Sequence, residues 1–372
     1  VNKLETFSLE NFGPIKKVEV DFGDLTVLIG PQATGKSLFL QMHKWHRDAK
    51  SILEFKTSTA FEWPKTVADM LRLYLGEESG GLIKPETRMI GKPIEIPERA
   101  KGSFLESVVY IPANRDSIFY NNFPRHPDIG FLPFDPYVTR FLSQLVIDYF
   151  VKMTEGTPGG KEPLFWYNNA IYYQSKPFLE VRIQQNRISI PQDGNIIRYS
   201  DWSFGMKSFL PIISCAEPFL RFGKANGVEY FVVEEPEIGL HPKAIQDFIL
   251  LVFELMAIGF KVILSTHSDY ILEIMWVLNQ ISANQENRFD LLTHLLQTEN
   301  RPKYNSIFTA LASKTFRTYS FSKSSNGMGV VAKDISSLDV LSEDSDISSW
   351  GGFMPFKDRA NRIVAAVNKI SY

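Results

Sequence analysis

The chain has 372 residues, enough for one large domain or two modest ones, and its 44% hydrophobic and 22% charged composition excludes a disordered or fibrous protein. Lys and Arg number 40 against 42 Asp and Glu. The net charge of −2 excludes a global electrostatic pull toward nucleic acid or an anionic membrane, while a local basic groove stays open.

The single cysteine, Cys215, lies in the apolar run LPIISCAEPFL, where it packs as a small hydrophobe and has no partner for an internal disulfide. The longest apolar stretch, FILLVFELMAIGF at 248–260, is interrupted by Glu254 and is too short for a bilayer. With no signal-peptide pattern at the start, the expectation is a cytoplasmic protein without a membrane partner.

In chain order, KLETFSLENF alternates apolar and polar residues, turns at Gly13-Pro14 and resumes as IKKVEVDF before a third apolar run, LTVLIG: three strands. GPQATGKSLFLQMHKW follows, with helix formers after Ser37. Residues 77–104 are rich in Gly, Pro and charge and predict an irregular insertion. A strand, SVVYIPA, leads to Asn114 and Arg115. Residues 121–136 read as loop, PYVTRFLSQLVIDYFVKM as an amphipathic helix, and TEGTPGGKEP as a break. No heptad array is long enough for a coiled-coil arm.

FLEVRIQQNRISIPQDGNIIRYS predicts strands around an Asp-Gly turn, and a helix follows from about Gly205 to Phe222. Strand VEYFVVEE, helix HPKAIQDFILLVFELMAI, strand FKVILSTH and helix SDYILEIMWVLNQ then alternate, which implies a parallel sheet with helices on its faces. TYSFSK and GMGVVAKD predict a hairpin, and FKDRANRIVAAVNKI a closing helix. The expected fold is α/β, a single domain over 1–372 with an antiparallel N-terminal part. An insertion or helical lobe is expected over 45–163, and the hairpin plus helix over 321–372.

Four segments carry chemistry. In Gly30-Pro31-Gln32-Ala33-Thr34-Gly35-Lys36-Ser37, the glycines let backbone N–H groups curl around phosphate oxygens. Lys36 supplies charge at the β and γ positions, and Ser37 offers a hydroxyl to Mg²⁺. The blander reading, a glycine-rich turn, is disfavoured by the strand before and the helix after. YFVVEEPEIGLHP ends a strand in two carboxylates. If that strand enters the sheet beside the phosphate loop, Glu234 reaches the metal and Glu235 the attacking water. KVILSTH places His267 at a strand end within reach of a γ-phosphate. Ser203, Gly205 and Lys207 open a helix with a hydroxyl, a close backbone approach and a positive helix end that suit an anion; alone they read as an ordinary cap.

In this order the segments resemble the ABC ATPase superfamily, in the branch that includes the SMC and RecF repair ATPases and the OLD-family proteins. The wording is most similar to OLD-like ATPases: NFGPI, VYIPANR, SFGMKSFLP, EEPEIGLHP and STHSDYIL. The resemblance implies that Lys36 and Ser37 bind ATP and Mg²⁺, Glu234 serves the metal, Glu235 is the catalytic carboxylate and His267 the switch histidine. Ser203 and Gly205 would form a signature motif that binds the nucleotide of a second copy, so that ATP is sandwiched in a homodimer or higher homo-oligomer. The sequence departs from the wider pattern in Glu234, where transporters carry Asp, and in SFGMK for LSGGQ, which puts Phe204 and Met206 where tighter residues are frequent and points to slow hydrolysis. The glutamine loop has no clear counterpart; Asn114 and Arg115 are candidates for a site-facing role.

OLD nucleases carry a C-terminal metal-binding nuclease domain, whereas Asp339, Glu343, Asp344 and Asp346 lie here in a Ser-rich stretch that reads as solvated loop. The expectation is an ATPase subunit controlling a separate effector, a nuclease, like the ATPase subunits of the antiphage systems PARIS and Septu. Two alternatives stay open: a RecF-like ATPase clamping DNA, and a small-molecule kinase with a lid from residues 77–104.

Overall fold

The computed structural model describes residues 4–58, 62–99, 106–120, 123–126, 135–155, 182–184, 187–192, 195–225, 227–283, 288–296, 302–324, 327–354 and 363. In chain order the elements begin with β1 (Glu5–Phe12), β2 (Ile15–Phe22), β3 (Leu25–Ile29), α1 (Lys36–Ser58), α2 (Val67–Leu75), β4 (Arg88–Met89), β5 (Val108–Ile111), β6 (Phe119–Tyr120), β7 (Phe123–Pro124) and α3 (Tyr137–Glu155). They continue with β8 (Arg182–Gln184), β9 (Arg187–Gln192), β10 (Asn195–Arg198), α4 (Phe204–Phe222), β11 (Tyr230–Glu234), α5 (Pro242–Ala257) and β12 (Lys261–Ser265). The last are α6 (Asp269–Ala283), α7 (Arg288–Leu295), α8 (Pro302–Leu311), β13 (Phe316–Lys323), β14 (Val330–Asp334) and α9 (Ser345–Ser348).

Nine strands form one sheet in the order β4-β1-β2-β14-β13-β3-β12-β11-β5. From β13 to β5 every pair is parallel. β3, β5 and β11 are buried along their whole length, and β12 in all but Lys261, as strands covered on both faces must be. Alternate residues feed two cores. Val27, Ile29, Val233 and Leu264 face α4, α5 and α6, whereas Leu28, Tyr110, Val232 and Ile263 face α1 and α2. Each buried Val, Leu or Ile contributes ~1.5–3 kcal/mol, so these runs dominate the sheet's stability.

The expected parallel sheet with helices on its faces is present, with the antiparallel β1–β2 pair at its N-terminal edge. β11 does not pair with the strand that precedes the phosphate loop: β12 stands between β3 and β11, so the strand bearing His267 is the immediate neighbour. Wholly apolar strands have no face preference to specify their neighbours, which leaves their order to long-range packing.

The C-terminal hairpin of β13 and β14 inserts between β2 and β3, pairing parallel with each. Within 45–163, α1 extends to Ser58 and β5 joins the main sheet, while β4 from the irregular 77–104 stretch adds a short outer strand to β1. β9 and β10 pair antiparallel as predicted, but Asp193-Gly194, most of the TEGTPGGKEP break and nearly all of the closing-helix segment 356–370 fall outside the described residues. Among the described residues no helix is long and apolar enough to cross a membrane.

Candidate functional site

The site forms where β3, β12 and β11 end together. After Ile29 the chain turns through Gly30 at φ 137°, where a Cβ would stand 2.2 Å from the Phe321 carbonyl oxygen of β13. Only glycine fits that approach. The exposed arch Pro31-Gln32-Ala33 carries Ala33 at φ 61°, and Thr34 closes it by donating to the Pro31 carbonyl at 2.8 Å. Gly35 then opens α1 with Lys36 as first residue, so the positive end of a 23-residue helix points into the site. Lys36 is 6% exposed and donates to the carbonyls of Gly30 and Pro31 at 2.8 and 3.0 Å. Burial lowers its pKa, and Glu235, Glu234 and Glu237 oppose that fall.

Glu234 ends β11 and is 4% exposed. One oxygen accepts from the Tyr110 hydroxyl at 2.7 Å and the other from the Ala113 amide at 3.1 Å, and the nearby Ser37 side chain also favours the charged form. Burial nevertheless raises its pKa, with the Glu235 charge adding to the rise. A buried carboxylate beside the phosphate-loop serine is where a divalent cation would offset the cost of desolvation. The donor set suits Mg²⁺, which takes few protein ligands and draws its remaining oxygens from phosphates and water. Among the described residues no group of three or more His, Cys, Asp or Glu converges as a protein-only metal cage.

Glu235 adopts φ 43°, a left-handed conformation that costs a non-glycine residue about 1–3 kcal/mol. Its surroundings hold it there: the Glu235 amide donates to the Ser265 carbonyl at 2.7 Å, and Arg115 grips the loop from behind. Arg115 is fully buried. Its guanidinium donates to the carbonyls of Glu234, Glu235 and Pro236 at 2.8, 3.1 and 3.4 Å and to that of Ser208 in α4 at 2.7 Å. Burial lowers its pKa to about 10, leaving it cationic at neutral pH.

His267 follows β12, its Nε2 3.8 Å from a Glu235 oxygen. Burial and then Lys36 lower the imidazole pKa, against the raising effect of Glu235 and Glu237, so the ring is neutral near pH 7. Its backbone N–H donates to Glu237 Oε1 at 2.7 Å, and the Thr266 hydroxyl donates to the same oxygen at 2.8 Å. Glu237 thus joins the loop after β11 to the end of β12, and its charge is felt by Lys36, Arg115 and His267. Neither Glu237 nor Tyr110 stands among the sequence-derived candidates. Their signals were the last glutamate of EEPE and the alternate apolar register of VYIP.

At the start of α4, Ser203 is an exposed N-cap whose Oγ accepts from the Met206 amide at 3.3 Å. Gly205 is required by packing: a Cβ there would stand 2.3 Å from the Gly239 carbonyl oxygen. Lys207 turns back to donate to the Ser200 carbonyl at 2.9 Å and lies over the Tyr199 ring. The structure therefore gathers Lys36, Ser37, Glu234, Glu235 and His267 into one basin. Ser203 and Lys207 lie outside it, with no hydrogen bond or ion pair to those residues among the described ones. Asn114 is exposed beside Arg115, its carbonyl accepting from the Ser117 hydroxyl. The acidic stretch near the end is paired rather than convergent, with Lys333 bridging Asp344 and Asp346.

Residues 102–273 match the family model described as "AAA domain, putative AbiEii toxin, Type IV TA system". No curated protein matches the chain. Among solved structures, the SMC head domain from Thermotoga maritima is 14% identical, covering 89% of this chain and 98% of that one with a TM-score of 0.39. A Pyrococcus furiosus Smc head domain with an extended coiled coil, bound to the C-terminal domain of ScpA, is 11% identical over 89% of this chain and 96% of that one, TM-score 0.37. UvrA2 from Deinococcus radiodurans is 11% identical over 94% of this chain and 39% of that one, TM-score 0.35. Together the match to an AAA-domain model over residues 102–273 and a phosphate loop, paired glutamates and strand-end histidine in one basin support an ATPase.

Proposed function

We propose that this chain is a single-domain ABC-type ATPase that binds Mg·ATP, hydrolyses it slowly and dimerises around it. The observation that carries the reading is the union of three strand ends, which brings Ser37 beside Glu234, with Lys36, Glu235 and His267 within electrostatic reach of one another. Lys36 and the amides of residues 30–37 would hold the triphosphate, and Ser37 and Glu234 the metal, which lends charge to the leaving oxygens. Glu235 would orient the attacking water. His267, neutral, would bond a γ-phosphate oxygen.

The dimer is inferred from α4. Its capped N-terminus, with Ser203 exposed and Phe204 51% exposed, presents an anion-binding helix end to solvent that makes no hydrogen bond to its own phosphate loop among the described residues. A second copy's triphosphate satisfies that end. Tight backbone packing of Gly205 on Gly239 ties it to the loop bearing Glu235.

The biological setting we infer is prokaryotic antiphage defence, with the ATPase controlling a separate effector nuclease. The OLD-like wording of EEPEIGLHP and STHSDYIL supports it, as does the toxin–antitoxin wording of the family description for residues 102–273. Turnover of ATP by the purified chain, lost in Lys36→Ala and in Glu235→Gln, tests the chemistry. Co-purification with the product of a neighbouring gene tests the setting; steeply salt-dependent, ATP-stimulated DNA binding without such a partner would favour a RecF-like role instead.

A further inference from the structure

The Arg115 side chain is out of reach of solvent, yet its charge neutralises no single carboxylate. Every bond it makes is to a backbone carbonyl: Pro112 and Ala113 of its own loop at 3.4 and 3.5 Å, Glu234, Glu235 and Pro236 of the catalytic loop, and Ser208 in the second turn of α4. Such a fork fixes relative position, because a planar guanidinium reaches carbonyls on several segments only in one arrangement. A second, independent contact joins the same two elements. The backbone at Gly205, in the first turn of α4, is pressed against Gly239 in the loop that follows Glu235. The α4 start is therefore locked to the catalytic loop at two places, one beside its anion-binding end and one a turn later.

We propose that Arg115 is a positioning residue that makes Glu235 answer to nucleotide held by the other subunit. The inference rests on the dimer reading above. When the Ser203 end of α4 takes up the partner's triphosphate, a shift of the helix is carried by the Ser208–Arg115–Glu235 chain of bonds to the residue that orients water in its own site. Glu235 stands in a strained conformation, and Arg115 contributes to holding it there, so a small displacement changes the geometry of attack. Each site then fires only when the other is filled.

The test uses the full chain. Wild-type turnover should rise sigmoidally with ATP, with a Hill coefficient clearly above one. Arg115→Lys keeps the charge and loses the fork; kcat should fall by about 10- to 100-fold with a Hill coefficient near one, while binding of a fluorescent ATP analogue stays within about twofold. A hyperbolic wild type, or an Arg115→Lys enzyme that keeps its cooperativity, overturns the proposal.

Mixed dimers of wild-type and Lys36→Ala subunits give an arm that needs no change at Arg115. They should be silent, because the one competent site faces an empty partner; turnover at half the wild-type rate overturns the proposal. Sedimentation of Glu235→Gln with ATP separates the two failures. Absence of a dimer defeats the functional reading itself, whereas a dimer combined with half-active mixed species defeats only the coupling.

Discussion

The Tyr110 hydroxyl donates to Glu234 Oε1 at 2.7 Å, so a residue of β5, the edge strand, aims the carboxylate that ends β11. The two strands are paired in parallel from Tyr230 and Val108 onward, which brings the Tyr110 ring and Glu234 to the same end of the sheet. Tyr110 has its own pKa raised far above the ordinary phenol value by burial and by the Glu234 charge, so it stays protonated and keeps its proton for Glu234. Tyr110→Phe should therefore leave ATP binding intact and raise the Mg²⁺ concentration needed for half-maximal turnover. The stability cost is about 1–3 kcal/mol, as for loss of a bond to a buried charged group. Metal titrations and thermal melts of the variant check both.

Glu237 offers a cleaner separation of shape from charge. Glu237→Gln keeps an oxygen for the Thr266 hydroxyl and the His267 amide, whereas Glu237→Ala removes the anchor of both. The alanine variant should lose about 10- to 100-fold in kcat and the glutamine variant only a few-fold, in steady-state assays. Equal losses would mean that the charge near Lys36, and not the hydrogen bonds, is what the site needs.

Gly205→Ala is expected to act at a distance. The added methyl cannot be placed 2.3 Å from the Gly239 carbonyl oxygen, so either α4 or the loop after Glu235 must move. Turnover should collapse while an ATP analogue still binds Lys36 and its loop, which fluorescence titration and a parallel melt distinguish from unfolding.

His43 lies on α1, its ring edge-on to Phe7 and Tyr230 and tilted on Phe22, with no hydrogen-bond partner for either nitrogen among the described residues. Burial first, and then the cations Arg47, His46, Lys261 and Lys44, lower its pKa from 6.5 to about 3. Since the folded value lies below the unfolded one, the unfolded chain binds the proton more readily. The stabilisation is complete above pH 6.5 and is lost as pH falls toward 3. Urea melts at pH 7 and pH 4.5 should differ by about 2–3 kcal/mol from this residue alone, and His43→Leu should flatten that slope.

Much of the site was legible because its parts end strongly apolar strands. LTVLIG, VEYFVVEE and FKVILSTH each announce a buried strand followed by groups that have no place in a core, and the structure brings Lys36, Glu234, Glu235 and His267 together as that pattern demands. Strand order was not legible. β12 lies between β3 and β11, and the β13–β14 hairpin lies between β2 and β3, because pairings between segments hundreds of residues apart leave no periodic trace in the text. Arg115 was visible only as a candidate. Arginine is seldom fully buried, and nothing local shows that backbone carbonyls from three segments converge on it. Glu237 was hidden in plain view, since a glutamate in a turn reads as solvated until Thr266 and His267 are seen to bond it.

The most direct measurement is analytical ultracentrifugation of Glu235→Gln with Mg²⁺ and ATP, ADP or no nucleotide. With ATP alone the mass should double, ATP should be retained unhydrolysed in the dimer, and that species should be lost on Ser203→Glu. A Glu235→Gln protein that stays at one mass in all three conditions, or that turns ATP over at the wild-type rate, would rule out a dimer closed around ATP with Glu235 as its catalytic carboxylate.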